Sequence, residues 1–347
     1  MALRIAVCST QVPFEYGGAE VLANALVREL RLRGYEVDLV RIPLTWNDRD
    51  GLLKSYLACR LVNLKISEGV SIDRLIALKF PSYCVEHPYK ITWLVHQLRQ
   101  AYDLLGTKYS YFSTSPADQE LLDLIHRMDT RGIAESRRIA AISQNVAGRL
   151  LRYNHLEAEV IYPPPSFDGQ YYNDGYGDYI LSVSRLNVLK RVDLLVRAMA
   201  LVRTPVRCCI VGRGDQMSTL QALAKETGSA ERIEFLGYVS DEELLAQYAG
   251  ALAVYYAPLD EDYGLATVEA MKSGKAVLTA TDSGGVLEFV EDGITGFAVS
   301  PDSPAALAER IDQLYEERDL AEKLGQTATG KVAHIDWDTT IRRLLGS

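Results

Sequence analysis

The chain has 347 residues, 48% hydrophobic and 24% charged, which excludes an intrinsically disordered chain and is ordinary for a globular enzyme. That length exceeds what one hydrophobic core usually supports, so two domains of about 150 to 180 residues are expected. A formal net charge of −9 argues against broad attraction to nucleic acid, and no nucleic-acid partner is expected.

In chain order, the apolar run Leu3 to Ser9, the loop Tyr16-Gly17-Gly18 and the periodic Val21, Leu22, Ala25, Leu26 and Leu30 predict a strand, a glycine turn and a helix. Glu36 to Ile42 then supplies a second strand. Gln11, Pro13 and Glu15 interrupt the first apolar stretch, so it reads as a strand and not as a signal peptide. No segment reaches the roughly 18 apolar residues of a membrane span, and a cytoplasmic location is expected. Leu52 to Ile66 carries Lys54, Arg60 and Lys65 among Leu53, Tyr56, Leu57, Leu61, Val62 and Leu64. Such a helix either packs as an ordinary surface element or makes a peripheral contact with anionic lipid.

Further strands are expected at Arg74 to Lys79, Ile91 to His96 and Arg138 to Ser143, then a helix over Gln144 to Arg152. Val160-Ile161-Tyr162 runs into Pro163-Pro164-Pro165, which can continue neither a helix nor a central strand, and the polar run Asp168 to Asp178 completes a linker there. A second series follows, with strands at Tyr179 to Val183, Arg207 to Val211, Ile233 to Leu236, Ala251 to Ala257 and Ala276 to Thr279. Helices over Val192 to Val202, Gln216 to Thr227, Asp241 to Tyr248, Ala266 to Ser273 and Pro304 to Leu324 alternate with them. The expected fold class is α/β, with two Rossmann-like doubly wound domains facing across a cleft and ligands at the carboxyl ends of the strands. The boundaries are 1–163, rejoined by a terminal helix at about 333–347, and 164–332. The 5 cysteines form no CxxC pair, and Cys208-Cys209 lie within an apolar run, so buried reduced thiols are expected.

The chemistry concentrates in Glu261-Asp262-Tyr263-Gly264-Leu265-Ala266-Thr267-Val268-Glu269-Ala270-Met271. A helix opening at Leu265 would offer unpaired N–H groups and its positive dipole end to an anion, with Glu261 in the preceding loop and Glu269 in the first turns. Upstream, Arg185 at a strand end and Lys190 entering a helix can converge on a diphosphate. Taken singly, each pattern also reads as ordinary surface charge. Val211-Gly212-Arg213-Gly214-Asp215 has Met217 where a dinucleotide fingerprint needs its third glycine, so it is weak evidence for NAD. The histidines match no zinc spacing, and no Asp-x-Asp motif stands at a strand end.

The string from Glu261 to Met271, with Lys272-Ser273-Gly274 and Ser283-Gly284-Gly285 behind it, closely resembles the donor-site signature of the retaining GT-B glycosyltransferases of family 4. The resemblance implies that Glu269 accepts hydrogen bonds from ribose hydroxyls, that Glu261 contacts the transferred sugar, and that the backbone of Gly264, Leu265 and Ala266 holds the diphosphate. Arg185 and Lys190 match the family's Gly-Arg-Leu-x-x-x-Lys-Gly motif, with Ser184 and Arg191 standing where glycines are usual. It further implies that Gly212, Gly214 and the turn at Val239 line the nucleotide. Gly284 and Gly285 approach donor sugar or phosphate, Gly17 and Gly18 approach phosphate or acceptor, and His96 contacts the donor sugar. The implied activity is metal-independent transfer of a hexose, UDP-glucose being the leading donor, to a saccharide or lipid-linked saccharide in polysaccharide assembly. The leaving phosphate would help deprotonate the acceptor on the same face, giving retention. A catalytically inactive GT-B assembly protein and a nucleotide-sugar epimerase of the same fold are the alternatives.

Overall fold

The computed structural model describes residues 2–46 and 48–346. The chain forms two compact units, one running to Ser166 and taking back the segment from Trp337, the other Phe167–Asp336.

The first unit contains β1 (Arg4–Gln11), α1 (Gly18–Leu32), β2 (Glu36–Pro43), α2 (Arg49–Leu61), a small hairpin of β3 (Ile66–Ser67) and β4 (Val70–Ser71), β5 (Arg74–Ala77), β6 (Lys90–Leu94), α3 (Pro116–Ala134), β7 (Arg138–Ala141), α4 (Gln144–Asn154) and β8 (Glu159–Val160). Its main sheet is parallel, in the order β2-β1-β5-β6-β7-β8. The second unit contains β9 (Tyr179–Val183), α5 (Val192–Met199), β10 (Arg207–Val211), α6 (Met217–Glu226), β11 (Ile233–Gly237), α7 (Asp241–Gly250), β12 (Ala253–Tyr255), α8 (Leu265–Lys272), β13 (Val277–Ala280), β14 (Gly296–Val299), α9 (Pro304–Glu316) and α10 (Arg318–Val332). Its sheet is also parallel, ordered β11-β10-β9-β12-β13-β14. Both orders reverse direction beside the first strand of the unit, the arrangement of a doubly wound sheet. The last helix, α11 (Trp337–Leu345), belongs to the first unit; Trp337 Nε1 donates to Pro165 O (3.3 Å) and Thr340 Oγ1 to Tyr162 O (3.1 Å).

Several elements differ from the sequence reading. The expected helix over Leu52 to Ile66 is α2, which ends at Leu61 and buries Leu52, Ser55, Tyr56 and Cys59; Lys65 and Ile66 lie outside it. Arg60 is engaged by Glu135 (2.6 Å) and Glu86 (3.0 Å), so the stretch is not one continuous basic face. The single helix expected over Pro304 to Leu324 is two, because Glu317 (φ −110, ψ 73) leaves the helical region. The bend lets α10 lie so close to the segment after α8 that a Cβ on Gly325 would fall 2.0 Å from Gly274 O. β14 and the 19-residue α3 were outside the sequence reading, although Ser115 caps the Asp118 N–H and Pro116 occupies the first turn, the usual start signals. All five cysteine side chains are buried and free.

The first unit also buries a carboxylate. Asp129 on α3 is 0% exposed and accepts hydrogen bonds from Tyr56 Oη (2.5 Å) and Tyr102 Oη (2.6 Å). Burial pushes its pKa up to about 6, with the tyrosine hydrogen bonds opposing that rise. Because the folded value exceeds the unfolded one, folding takes up a proton between them, and stability rises as pH falls through about 6 towards 4. The melting temperature of the wild type relative to Asp129→Asn should therefore climb between pH 7.5 and 5, by the equivalent of about 1.4 kcal/mol per pH unit once below the folded value. A pH-independent difference between the two would contradict it.

Candidate functional site

In the second unit, the loops that leave the carboxyl ends of β9 to β13 carry most of the residues singled out from the sequence. The loop after β9 ends in a 3-10 turn, Val188–Lys190, and the Lys190 ammonium is bound at 2.5 Å by Glu261 Oε2 and at 2.9 Å by Tyr256 Oη. The pair is largely enclosed, its side chains being 17% and 21% exposed. Burial works to lower the Lys190 pKa, but the Glu261 carboxylate and the Tyr256 hydroxyl outweigh it, and the net direction is upward. Lys190 is thus a fixed cation. Arg185, two residues beyond the last ladder pair Val183↔Val211, stands exposed on the same loop.

Glu261 is held by the backbone on both sides: its N–H donates to Ser283 O (3.2 Å), and its carbonyl accepts from Gly285 N (2.7 Å). A Cβ on Gly285 would sit 2.5 Å from Asp262 O, so glycine at that position is demanded by the approach of these two loops. Gly264, at φ +88, then turns the chain into α8. No side chain caps this helix, so the first N–H groups, those of Leu265 and Ala266, lie at an uncapped helix N-terminus that suits an oxyanion. One turn further, on the face of Leu265, Glu269 accepts from Tyr248 Oη at 2.7 Å. Burial raises the Glu269 pKa against the opposing hydrogen bond of Tyr248.

Gly212 and Gly214 have a packing role. Cβ atoms there would lie 1.9 Å from Ser184 O and 2.0 Å from Leu186 O, because the turn after β10 abuts the loop after β9 backbone to backbone. Ser184 N donates to Val211 O (3.1 Å) and Leu186 N to Arg213 O (2.9 Å) across this contact. The next turn is tied in by Gly212 N to Gly237 O (2.7 Å); Val239 follows it, half-buried, just before the Ser240 cap of α7. Ser184, one departure from the family motif, is not among the residues with a left-handed backbone, so its conformation does not require glycine. Arg191, the other, does occupy the left-handed region at φ +49.

The remaining residues belong to the first unit. Gly17 is extended (φ −156), and its N–H donates to Glu20 Oε2 (2.9 Å); a Cβ would meet nothing closer than 3.7 Å, so its conformation does not require glycine. Gly18 opens α1. His96 lies two residues beyond β6, half-buried, with Nδ1 2.9 Å from Gln97 O. Tyr248 and Tyr256 were not singled out from the sequence. The only local signal is that Tyr256 directly follows the strand β12; its service to Lys190 is a long-range contact. Among the described residues no group of three or more His, Cys, Asp or Glu side chains is placed to hold a metal ion, and no helix is long and apolar enough to cross a membrane.

Residues 170–331 match the family model described as glycosyl transferases group 1. The D-inositol 3-phosphate glycosyltransferase of Nocardia farcinica is 31% identical over 280 residues, which cover 74% of this chain and 61% of that protein. The chain thus spans about three fifths of that relative's length. Sucrose-phosphate synthase from Thermosynechococcus elongatus superposes with a TM-score of 0.81 at 18% identity, covering 99% of this chain and 98% of the other. HepE of Anabaena, solved in complex with UDP and glucose, gives 0.75 at 18% identity with the same coverage. These two solved structures share the present fold.

Proposed function

We propose, for a chain of the GT-B fold whose residues 170–331 belong to the glycosyl transferases group 1 family, that it transfers a hexose from a nucleotide sugar to a saccharide or lipid-linked saccharide in the cytoplasm. The observation that carries the reading is the Lys190–Glu261–Tyr256 cluster on the loops around the uncapped start of α8. An ammonium already fixed by its neighbours, together with helix N–H groups, stabilises the charge that develops on a departing diphosphate without rearrangement during the reaction. UDP-glucose is the leading donor; the binding of UDP and glucose by HepE supports trying it first. Glu261 would meet the sugar and Glu269 the ribose. In the proposed course the anomeric carbon–oxygen bond to the diphosphate breaks while the acceptor oxygen attacks from the same face. The acceptor's proton goes to the leaving phosphate oxygen, and configuration is retained. Arg185, Lys190 and helix N–H groups would meet the diphosphate charge, so no divalent metal enters the scheme.

Isothermal titration with UDP, followed by turnover of UDP-glucose with and without EDTA, tests this reading. Saccharide acceptors and D-inositol 3-phosphate, suggested by the name of the Nocardia relative, form the acceptor panel. Binding of UDP with EDTA-resistant turnover is expected, with the anomeric configuration of the product read by NMR. UDP binding without turnover of any nucleotide sugar would favour a binding-only protein, and no UDP binding would overturn the proposal.

A further inference from the structure

Arg191 stands immediately after the candidate cation Lys190, in a left-handed conformation (φ 49, ψ 39) that glycine adopts at lower cost. An arginine held there needs a compensating gain, and its guanidinium supplies one. Nη1 and Nη2 form a two-pronged pair with Asp282 (2.9 and 2.7 Å), Nε donates to Ala257 O (2.8 Å), and Nη2 donates to Pro258 O (2.8 Å). This one side chain therefore joins the loop after β9, the loop after β12 and the loop after β13. Those loops carry Lys190, then Glu261 with Gly264, and then Gly284 with Gly285. Backbone bonds run alongside it: Leu259 N to Leu189 O (2.8 Å), Asp260 N to Asp282 O (2.9 Å) and Glu261 N to Ser283 O (3.2 Å). Tyr255 and Tyr256, whose side chains leave a strand end in opposite directions, engage the same dipeptide. Tyr255 Oη donates to Arg191 O (2.7 Å), while Tyr256 Oη accepts from Lys190 Nζ (2.9 Å). Asp260, directly before Glu261, is also left-handed (φ 43), so both residues flanking the Lys190–Glu261 pair sit in conformations that surrounding contacts must maintain.

We infer that Arg191, through Asp282, is a positioning residue that sets the Lys190–Glu261 pair in register with the start of α8 and thereby preorganises the diphosphate cradle. This rests on the nucleotide-sugar reading above. Only an arginine's planar fork can meet a carboxylate and two carbonyls at once, so lysine is not an equivalent replacement. Arg191→Gly is the informative variant, because it removes the guanidinium while making the backbone conformation easier to hold.

The test measures UDP affinity by titration, kcat and KM for UDP-glucose, and thermal melting, for wild type, Arg191→Gly, Asp282→Asn, the double variant and Arg191→Lys. Each single change should weaken UDP binding and raise donor KM by about tenfold, with a smaller effect on kcat. The double variant should be no worse than twofold beyond either single, because both changes break the same link. Arg191→Lys should recover less than half of the loss. Wild-type UDP affinity and kcat/KM in Arg191→Gly, in a wild type that does bind UDP, would overturn this inference alone; so would multiplicative effects in the double variant. A wild type that binds no UDP would overturn the nucleotide-sugar reading and this inference with it.

Discussion

Replacing Lys190 by methionine should lower kcat for transfer from UDP-glucose by about 10²- to 10³-fold, the usual cost of removing one preorganised group facing developing charge. Methionine keeps the length and the packing of the aliphatic stem but removes the ammonium that Glu261 and Tyr256 hold at 2.5 and 2.9 Å. The Glu261 carboxylate then loses its neutralising partner, so melting temperature should also fall. The pair is about one-fifth exposed on each side, so solvent recovers part of that loss and the stability effect should stay modest. Glu261→Gln gives the complementary experiment: it keeps a hydrogen-bond acceptor beside Lys190 and removes the charge, and should slow transfer more than it weakens UDP binding. Steady-state kinetics at saturating donor separate the two effects. Turnover by Lys190→Met within threefold of wild type would place the chemistry elsewhere.

Glu269→Gln should weaken UDP by about 10- to 100-fold, the worth of one hydrogen bond to a charged acceptor, with little further change in kcat at saturation. Tyr248 already fixes one carboxylate oxygen, so the side chain is held in place before any ligand arrives. The ionised form is the better acceptor for ribose hydroxyls, and burial raises the Glu269 pKa. UDP affinity of the wild type should therefore decline on acidification, starting above the ordinary carboxylate range, while that of the variant stays flatter. Titration with 2′- and 3′-deoxy-UDP completes the argument. If those analogues lose as much affinity with Glu269→Gln as with wild type, the carboxylate does not contact the ribose.

Much of this architecture is written locally. Largely apolar runs such as Tyr179–Val183 and Arg207–Val211 coincide with strands because a strand buried on both faces of a parallel sheet needs a near-continuous apolar segment. The triple proline ends the first series for an equally local reason: each ring removes a donor and fixes φ. The start of α8 was readable as well, since the turn residue Gly264 precedes an apolar run that includes good helix formers. Other features had no such signature. α3 carries its cap and its proline but mixes charges among Leu121, Leu122, Ile125 and Ile133, and its buried face is defined by the tyrosines that reach Asp129. The break at Glu317 has no helix-breaking residue; it accompanies the close fit of Gly325 against Gly274.

The site divides along the same line. Residue types and spacing along a single segment determined that this chain would carry paired sheets of alternating strands and helices, a glycine turn into a helix, and an E-x7-E string beside it. The partners of those groups came only with the tertiary structure. Lys190 meets Glu261 across 71 positions of sequence, Arg191 meets Asp282 across 91, and Glu269 is held by Tyr248 from another helix. Local pattern reports what each segment must bury, because periodicity and turn chemistry act over a few residues. Which side chains then share a charge or a proton depends on strand order and loop approach, quantities set by the packing of the whole unit.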